Sequence, residues 1–149
     1  MDLTPISHMS DRQKINLARH LNTSEEELRE LSTGNKYSVR YRVARNPNTP
    51  EDVLMYLAKD RNIDVRCAVA THPNITEEIL RYLIKDTYYG ARQRVAYHPK
   101  TSSKLLVALF IYEKSLKIPE AIVIRKLYDN EKLPLFAKRV IETLYGDWL

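Results

Sequence analysis

With 149 residues and 44% apolar side chains, the chain is long enough to bury a core as one domain, and its three glycines favour an ordered helical protein. A single cysteine, Cys67, excludes an intramolecular disulfide framework and a thiolate metal cage, and points to an intracellular setting. The net charge of +5 leaves both an acidic protein and a nucleic acid open as partners.

Met1-Asp2-Leu3-Thr4-Pro5 lacks the basic and apolar regions of a signal peptide, and no apolar run approaches the roughly 18 residues of a membrane-spanning helix. A soluble, cytoplasmic protein with no membrane partner is therefore expected. Residues 10–35 read as a degenerate copy of a 26-residue repeat and as the N-terminal cap, with Leu17-Ala18, His20, Asn22-Thr23, Leu28 and Leu31 in register.

Residues 36–115 carry the repeat itself. Val39-Arg40, Val65-Arg66 and Ala91-Arg92 open successive copies, followed by Val43-Ala44, Val69-Ala70 and Val95-Ala96. An Asn/His-Pro step comes next, at Asn46-Pro47, His72-Pro73 and His98-Pro99, then an apolar stripe at Val53-Leu54-Leu57, Ile79-Leu80-Leu83 and Leu105-Leu106-Leu109. Such a period marks stacked supersecondary units, because one unit cannot cover its own apolar face. Each copy reads as a helix pair: proline ends the short first helix by excluding its predecessor from the helical region. Thr49 is expected to cap the second helix with Pro50 at its first position and Asp52 completing a shortened capping box. In the next copy, where Ile75 replaces Thr49, Thr76 is expected to cap and the helix to begin one residue later. After Leu109 the register disappears. Residues 116–149 then hold two amphipathic segments, Pro119 to Asp129 and Leu133 to Tyr145, which lack the repeat signature and read as a C-terminal cap. The tail Tyr145-Gly146-Asp147-Trp148-Leu149 either folds back on that cap or docks into a partner.

The phrases Val43-Ala44-Arg45-Asn46-Pro47-Asn48-Thr49-Pro50-Glu51-Asp52-Val53-Leu54 and Val65-Arg66-Cys67-Ala68-Val69-Ala70-Thr71-His72-Pro73-Asn74 resemble the leucine-rich repeat variant family, a relative in shape of HEAT-type α-solenoids. The resemblance spans about residues 13 to 110. It implies an all-α, right-handed superhelix of about five helix pairs in which short and longer helices alternate. The iron-sulfur cluster of the family's founding member rests on an N-terminal cysteine group; this chain has no cysteine before Cys67, so no cofactor is carried over.

Arg40, Arg66 and Arg92 form a file. With about 100° per residue and Val39 at zero, Val43 falls near 40°, Arg40 near 100° and Ala44 near 140°, which places Arg40 inside the apolar arc. An arginine there needs a partner, and Asp60, Asp64 and Asp86 recur nearby, so a structural Asp/Arg ladder of Arg40, Arg66 and Arg92 with Asp60 and Asp86 is expected, with ligand contact by the file as the alternative. The outward positions differ. Tyr41, Arg42 and Arg45 in one copy correspond to Gln93, Arg94 and Tyr97 in another, and Lys36 and Lys100 extend the basic character. Lys36, Tyr41, Arg42, Arg45, Arg94, Tyr97 and Lys100 are thus the candidate binding residues, because cations interleaved with tyrosines suit phosphate tracking and base stacking. Between them the third copy places Cys67, Ala68 and Thr71, small and uncharged, which breaks the strip and suits a seat for a protein side chain.

His20, Asn46, His72 and His98 share a file and read as residues bonding the turn before proline, with no metal site. Tyr56 and Tyr82 form a second file at the edge of the core or on the rim of a binding surface. Cys67 lacks an activating neighbour, and no phosphate loop, metal cluster or hydrolase elbow occurs. The expected function is a non-enzymatic protein-interaction scaffold without catalytic residues or cofactors, with nucleic-acid binding as the alternative. A third class, an alkylated-base glycosylase, has only Asp86 with Tyr88 and Tyr89 to supply its carboxylate and aromatics, residues that also read as an inter-unit turn.

Overall fold

A computed structural model of the chain describes residues 5–117 and 119–149, with Trp148 described by its backbone alone. The reading of Met1 to Thr4 and the part of the tail reading that concerns the Trp148 side chain lie outside the described residues. Among those described, regular structure is entirely helical, as expected. Ten α-helices follow one another: α1 (Asp11–Arg19), α2 (Glu25–Ser32), α3 (Tyr37–Ala44), α4 (Glu51–Leu57), α5 (Ile63–Ala70), α6 (Glu77–Leu83), α7 (Tyr89–Tyr97), α8 (Ser103–Ser115), α9 (Ala121–Asp129) and α10 (Leu135–Tyr145). Along the chain they form five successive helix pairs. The chain divides into two compact units, Met1–Ile75 and Thr76–Leu149.

In the N-terminal unit the first helices of the pairs, α1, α3 and α5, pack in file, and α2 packs on α4 as a second layer. Leu28, Leu31, Val43, Leu54, Leu57, Val65 and Val69 fill the space between the layers and are fully buried or nearly so. In the C-terminal unit α7 packs on α6, α8 and α9, and α9 in turn on α8 and α10, around Leu80, Leu83, Leu106, Leu109, Ile124 and Ile141. Removing one such leucine to alanine costs about 2–5 kcal/mol.

The ends of the helices differ from the expected capping at α4 and α6. Ser10 and Ser24 form complete capping boxes with Gln13 and Glu27, Asn62 caps α5, and Ser102 caps α8. Thr49, however, caps nothing: its hydroxyl donates back to the Val43 carbonyl at 2.6 Å, Pro50 is the N-cap, and α4 starts at Glu51. Burial decides the matter, because Thr49 lies inside and its hydroxyl needs an acceptor, which the Val43 carbonyl provides beside the Asn46 N–H it already accepts. Thr23 and Thr101 make the same bond, to Leu17 and Val95, so residues 10–35 repeat the later architecture. Thr76 occupies the N-cap of α6 as expected, though its hydroxyl makes no cap bond. Both α4 and α6 begin at the same phase of the repeat, so the expected one-residue offset between them is not found.

The Asn/His file ties one copy to the one before it. Asn46 Nδ2 donates to the carbonyls of Ala18 and His20, both at 2.9 Å, while its Oδ1 accepts from the Asn48 amide. His72 does the same work with a ring: Nδ1 accepts from the Asn74 N–H at 3.1 Å, and Nε2 faces the Asn46 carbonyl at 2.8 Å. A carbonyl only accepts and an amide N–H only donates, so the ring is the neutral Nε2–H tautomer.

The arginine file is a clamp, buried at Arg40 and Arg92 and half-buried at Arg66. Arg40 Nε and Nη2 bind Asp60 at 2.5 and 3.0 Å, and Nη1 donates to the Gly34 and Asn35 carbonyls. The side-chain bond from Asp60 raises the guanidinium pKa, against the opposing pull of burial. Arg66 and Arg92 repeat the carbonyl contacts at the same offset, to Asp60 and Arg61 and to Asp86 and Thr87. Arg92, however, takes its acid from Glu113 at 2.5 Å, a residue outside the expected ladder. The position 20 residues beyond Arg92 is Tyr112, whose ring lies 5.8 Å from the guanidinium. Because α8 runs 13 residues where α4 and α6 run 7, that position lies on a helix instead of in a turn, and the acid falls one residue on.

The same lengthening explains the lost register. Asn130 donates from Nδ2 to the Ala96 carbonyl and accepts the Lys132 N–H, the role of Asn46 four residues before its own proline, Pro134. The last pair is therefore a displaced copy, which corrects the expectation that residues 116–149 lack the repeat. Ile124, fully buried, stands where the earlier copies have arginine.

Two measurements check this architecture. Asp60→Ala is expected to cost about 3–5 kcal/mol in denaturant unfolding because it strands a buried guanidinium, and Arg40→Met with Asp60→Ala together less than the sum of the two. Histidine side-chain NMR is expected to show His72 protonated at Nε2 alone at neutral pH, with Asn46 replaced by Ala leaving that tautomer unchanged.

Candidate binding surfaces

The first-helix layer of the N-terminal unit brings together four of the seven candidate binding residues. Lys36 stands at the N-cap of α3 without a side-chain cap bond, and its ammonium lies 3.6 Å from Asp11. Tyr41, Arg42 and Arg45 follow on α3. The two guanidinium carbons lie 5.6 and 5.8 Å from the Tyr41 ring centroid, and Arg45 donates to its hydroxyl at 3.0 Å. The ring is thus flanked by cations of its own helix, an arrangement that fixes the direction of both arginines. Cys67 and Ala68 on α5 are buried, so of the small residues between the two basic stretches only Thr71 is open to a partner.

Charge in this unit is sorted by layer. α2 opens on Glu25, Glu26 and Glu27 and α4 on Glu51 and Asp52, where carboxylates favour the positive end of the helix dipole. Arg29 joins these helices through Glu25 at 3.1 Å and Asp52 at 2.9 Å, and its hydrogen bond holds the Asp52 carboxyl below the usual carboxylate range. α3 has no acid in its first turn and carries a lysine at its start, against the preference of the dipole. On the layer of α1, α3 and α5 the acids are Asp11 and Asp64, and Arg12, Arg19, Arg42 and Arg45 form no ion pair among the described residues.

The other three candidates lie in the C-terminal unit. Arg94 bends back to its own helix, donating to the Gly90 carbonyl at 2.8 Å. Gly90 itself is required by close approach, since a Cβ there would meet the Tyr88 ring at 2.4 Å. Tyr97 is 55% exposed, and Lys126 of α9 lies 4.7 Å from its ring centroid and donates to its hydroxyl. Lys100 is exposed on the following turn, and its backbone N–H donates to His98 Nδ1. Lys132 reaches the Pro99 carbonyl. Lys126 and Lys132 were not among the sequence candidates; they come from a helix pair about 30 residues further on, and only the Asn130-to-Pro134 spacing signals that this pair stacks beside α7.

Asp86 serves the turn before α7: its carboxylate accepts the Tyr88 N–H at 2.8 Å and its carbonyl accepts from Arg92. The Tyr88 and Tyr89 rings tilt against each other with centroids 4.9 Å apart. Tyr56 and Tyr82 are half-exposed on α4 and α6. An open cleft of about 390 Å³ lies beside Arg40 and Asp60, walled by Asn35, Tyr56, Lys59 and Arg61. Its carbonyls at Gly34 and Asn35 are already bonded to Arg40. Among the described residues no group of three His, Cys, Asp or Glu side chains could hold a metal ion, and no helix is long and apolar enough to cross a membrane.

Comparison of the chain with protein-family models, with curated proteins and with solved structures finds no match in any of the three. The surfaces are accordingly read from their own chemistry. Substituting Tyr41 by Ala is expected to cost under about 1 kcal/mol of stability, as an exposed cation–π contact does, and to loosen Arg42 and Arg45, read as shortened side-chain order by arginine NMR relaxation.

Proposed function

We propose that the chain is a non-enzymatic, cytoplasmic protein-interaction scaffold that receives an acidic protein surface on the α1–α3 face of its N-terminal unit. The observation that carries this reading is the sorting of charge: among the described residues Arg12, Arg19, Arg42 and Arg45 form no ion pair on a layer with two acids, while the carboxylates gather on α2 and α4. A basic N-terminus on α3 opposes its helix dipole, and a feature that costs local stability is kept where a site needs it. The resemblance to leucine-rich repeat variant solenoids supports the same reading, since such folds present surfaces and enclose no reaction centre.

Nucleic acid is the competing occupant, favoured by cations interleaved with tyrosines. Tyr41, however, has both neighbouring guanidinium groups over its ring, which suits a partner that offers carboxylates more than one that stacks bases. Fluorescence anisotropy with a 20-residue glutamate-rich peptide and a 20-base-pair DNA duplex, each at two salt concentrations, separates the two. The peptide is expected to bind, and Arg42→Glu with Arg45→Glu to weaken it about 10- to 100-fold without lowering the thermal midpoint. Tighter binding of the duplex, steeply lost with salt and abolished by the same substitutions, would overturn the reading in favour of nucleic acid.

A further inference from the structure

Helix α10 leaves apolar surface open to water. With Val140 at zero on a helical wheel, Ala137 and Ile141 fall near 60° and 100° and are buried against the unit. Phe136, Val140 and Leu144 fall near −40°, 0° and 40°. They belong to the same apolar arc, yet they are 63%, 37% and 48% exposed. In the N-terminal unit α2 and α4 cover each other's flanks, whereas α10 packs on α9 and half of its apolar arc meets water.

From these observations we infer that the Phe136–Val140–Leu144 stripe of α10 is a docking site for an acidic amphipathic helix of a partner protein. The residues recur every four positions and span about 12 Å, the footprint that an i, i+4, i+7 face of a second helix covers. Charge selects the occupant. Arg139 and Thr143 border the stripe on its solvent side, and Arg139 forms no ion pair among the described residues. The acid of α10, Glu142, lies on the opposite flank and accepts the Tyr128 hydroxyl at 2.6 Å. A second copy of this chain crossing at Val140 would bring two Arg139 side chains together beside the two-fold axis, a like-charge contact that disfavours self-association. A helix with glutamates beside its leucines meets both the stripe and Arg139. This site lies in the other unit from the α1–α3 face and stands independently of it.

The probe is an 18-residue helical peptide with leucines on one face and glutamates on its borders, titrated by anisotropy into the full chain. Two controls accompany it: a permuted peptide of the same composition with the leucine face scrambled, and a version with lysine for glutamate. The acidic amphipathic peptide is expected to bind at least tenfold tighter than either control. Val140→Ser or Phe136→Ser, both at exposed positions, is expected to weaken it about tenfold with an unchanged thermal midpoint. Arg139→Glu is expected to reverse the preference between the glutamate and lysine peptides, and Arg42→Glu with Arg45→Glu to leave binding within twofold. Equal binding of the permuted peptide, insensitivity to Val140→Ser, or loss on the Arg42/Arg45 change would each overturn the assignment; the last would place the peptide on the N-terminal unit. A dimer in sedimentation that Val140→Ser dissolves would overturn it in favour of self-association.

Discussion

A guanidinium buried between two turns is the constraint on which each unit depends. Arg40 reaches backward to the Gly34 and Asn35 carbonyls and forward to the Asp60 carboxylate, so one side chain fixes the turns on either side of its helix pair. Arg92 likewise ties the turn at Asp86 and Thr87 to Glu113, here on helix α8. Both arginines are almost wholly removed from water, where an unpaired charge is untenable, so the turns and the acid must be held in place for the fold to exist. An apolar side chain would pack equally well but would accept any neighbouring register. The charged one accepts only the register that satisfies all of its donors.

The repeat was legible because its period is exposed in the sequence at every level: the arginine, the Val-Ala step, the Asn/His and the apolar stripe all recur together. Burial of Arg40 followed from its angle on the helix. What escaped was set by three-dimensional accounting that local sequence does not contain. Thr49 suits an N-cap by type, yet its buried hydroxyl finds its acceptor in the Val43 carbonyl six residues back. Glu113 could not be paired with Arg92 without knowing that α8 continues through the place where α4 and α6 stop. The final pair looked unrelated because those extra residues displace its signature, although Asn130 and Pro134 keep the spacing of Asn46 and Pro50.

Of the candidate surface, the sequence revealed the residues but not their grouping. Lys36, Tyr41, Arg42 and Arg45 share one helix and its two caps, so periodicity alone places them together. The separation of charge between the two layers of the N-terminal unit needed the packing of α1 against α3 and of α2 against α4. Structure and function use charge differently here. The buried cations Arg40 and Arg92 are held by several partners and specify register, while on the first-helix layer Lys36 meets Asp11 and the exposed Arg12, Arg19, Arg42 and Arg45 have no ion pair among the described residues. The apolar flank of α10 adds an uncharged counterpart in the other unit.

The buried clamp is tested most directly by the Nε–H resonances of the arginine side chains in ¹⁵N NMR with solvent exchange. Two of them, from Arg40 and Arg92, are predicted to resonate apart from the exposed arginines and to exchange with water at least about a thousandfold more slowly. Exchange of all arginine Nε–H groups at the rate of free side chains would contradict the account, because the charges said to fix the register would then be lying in solvent.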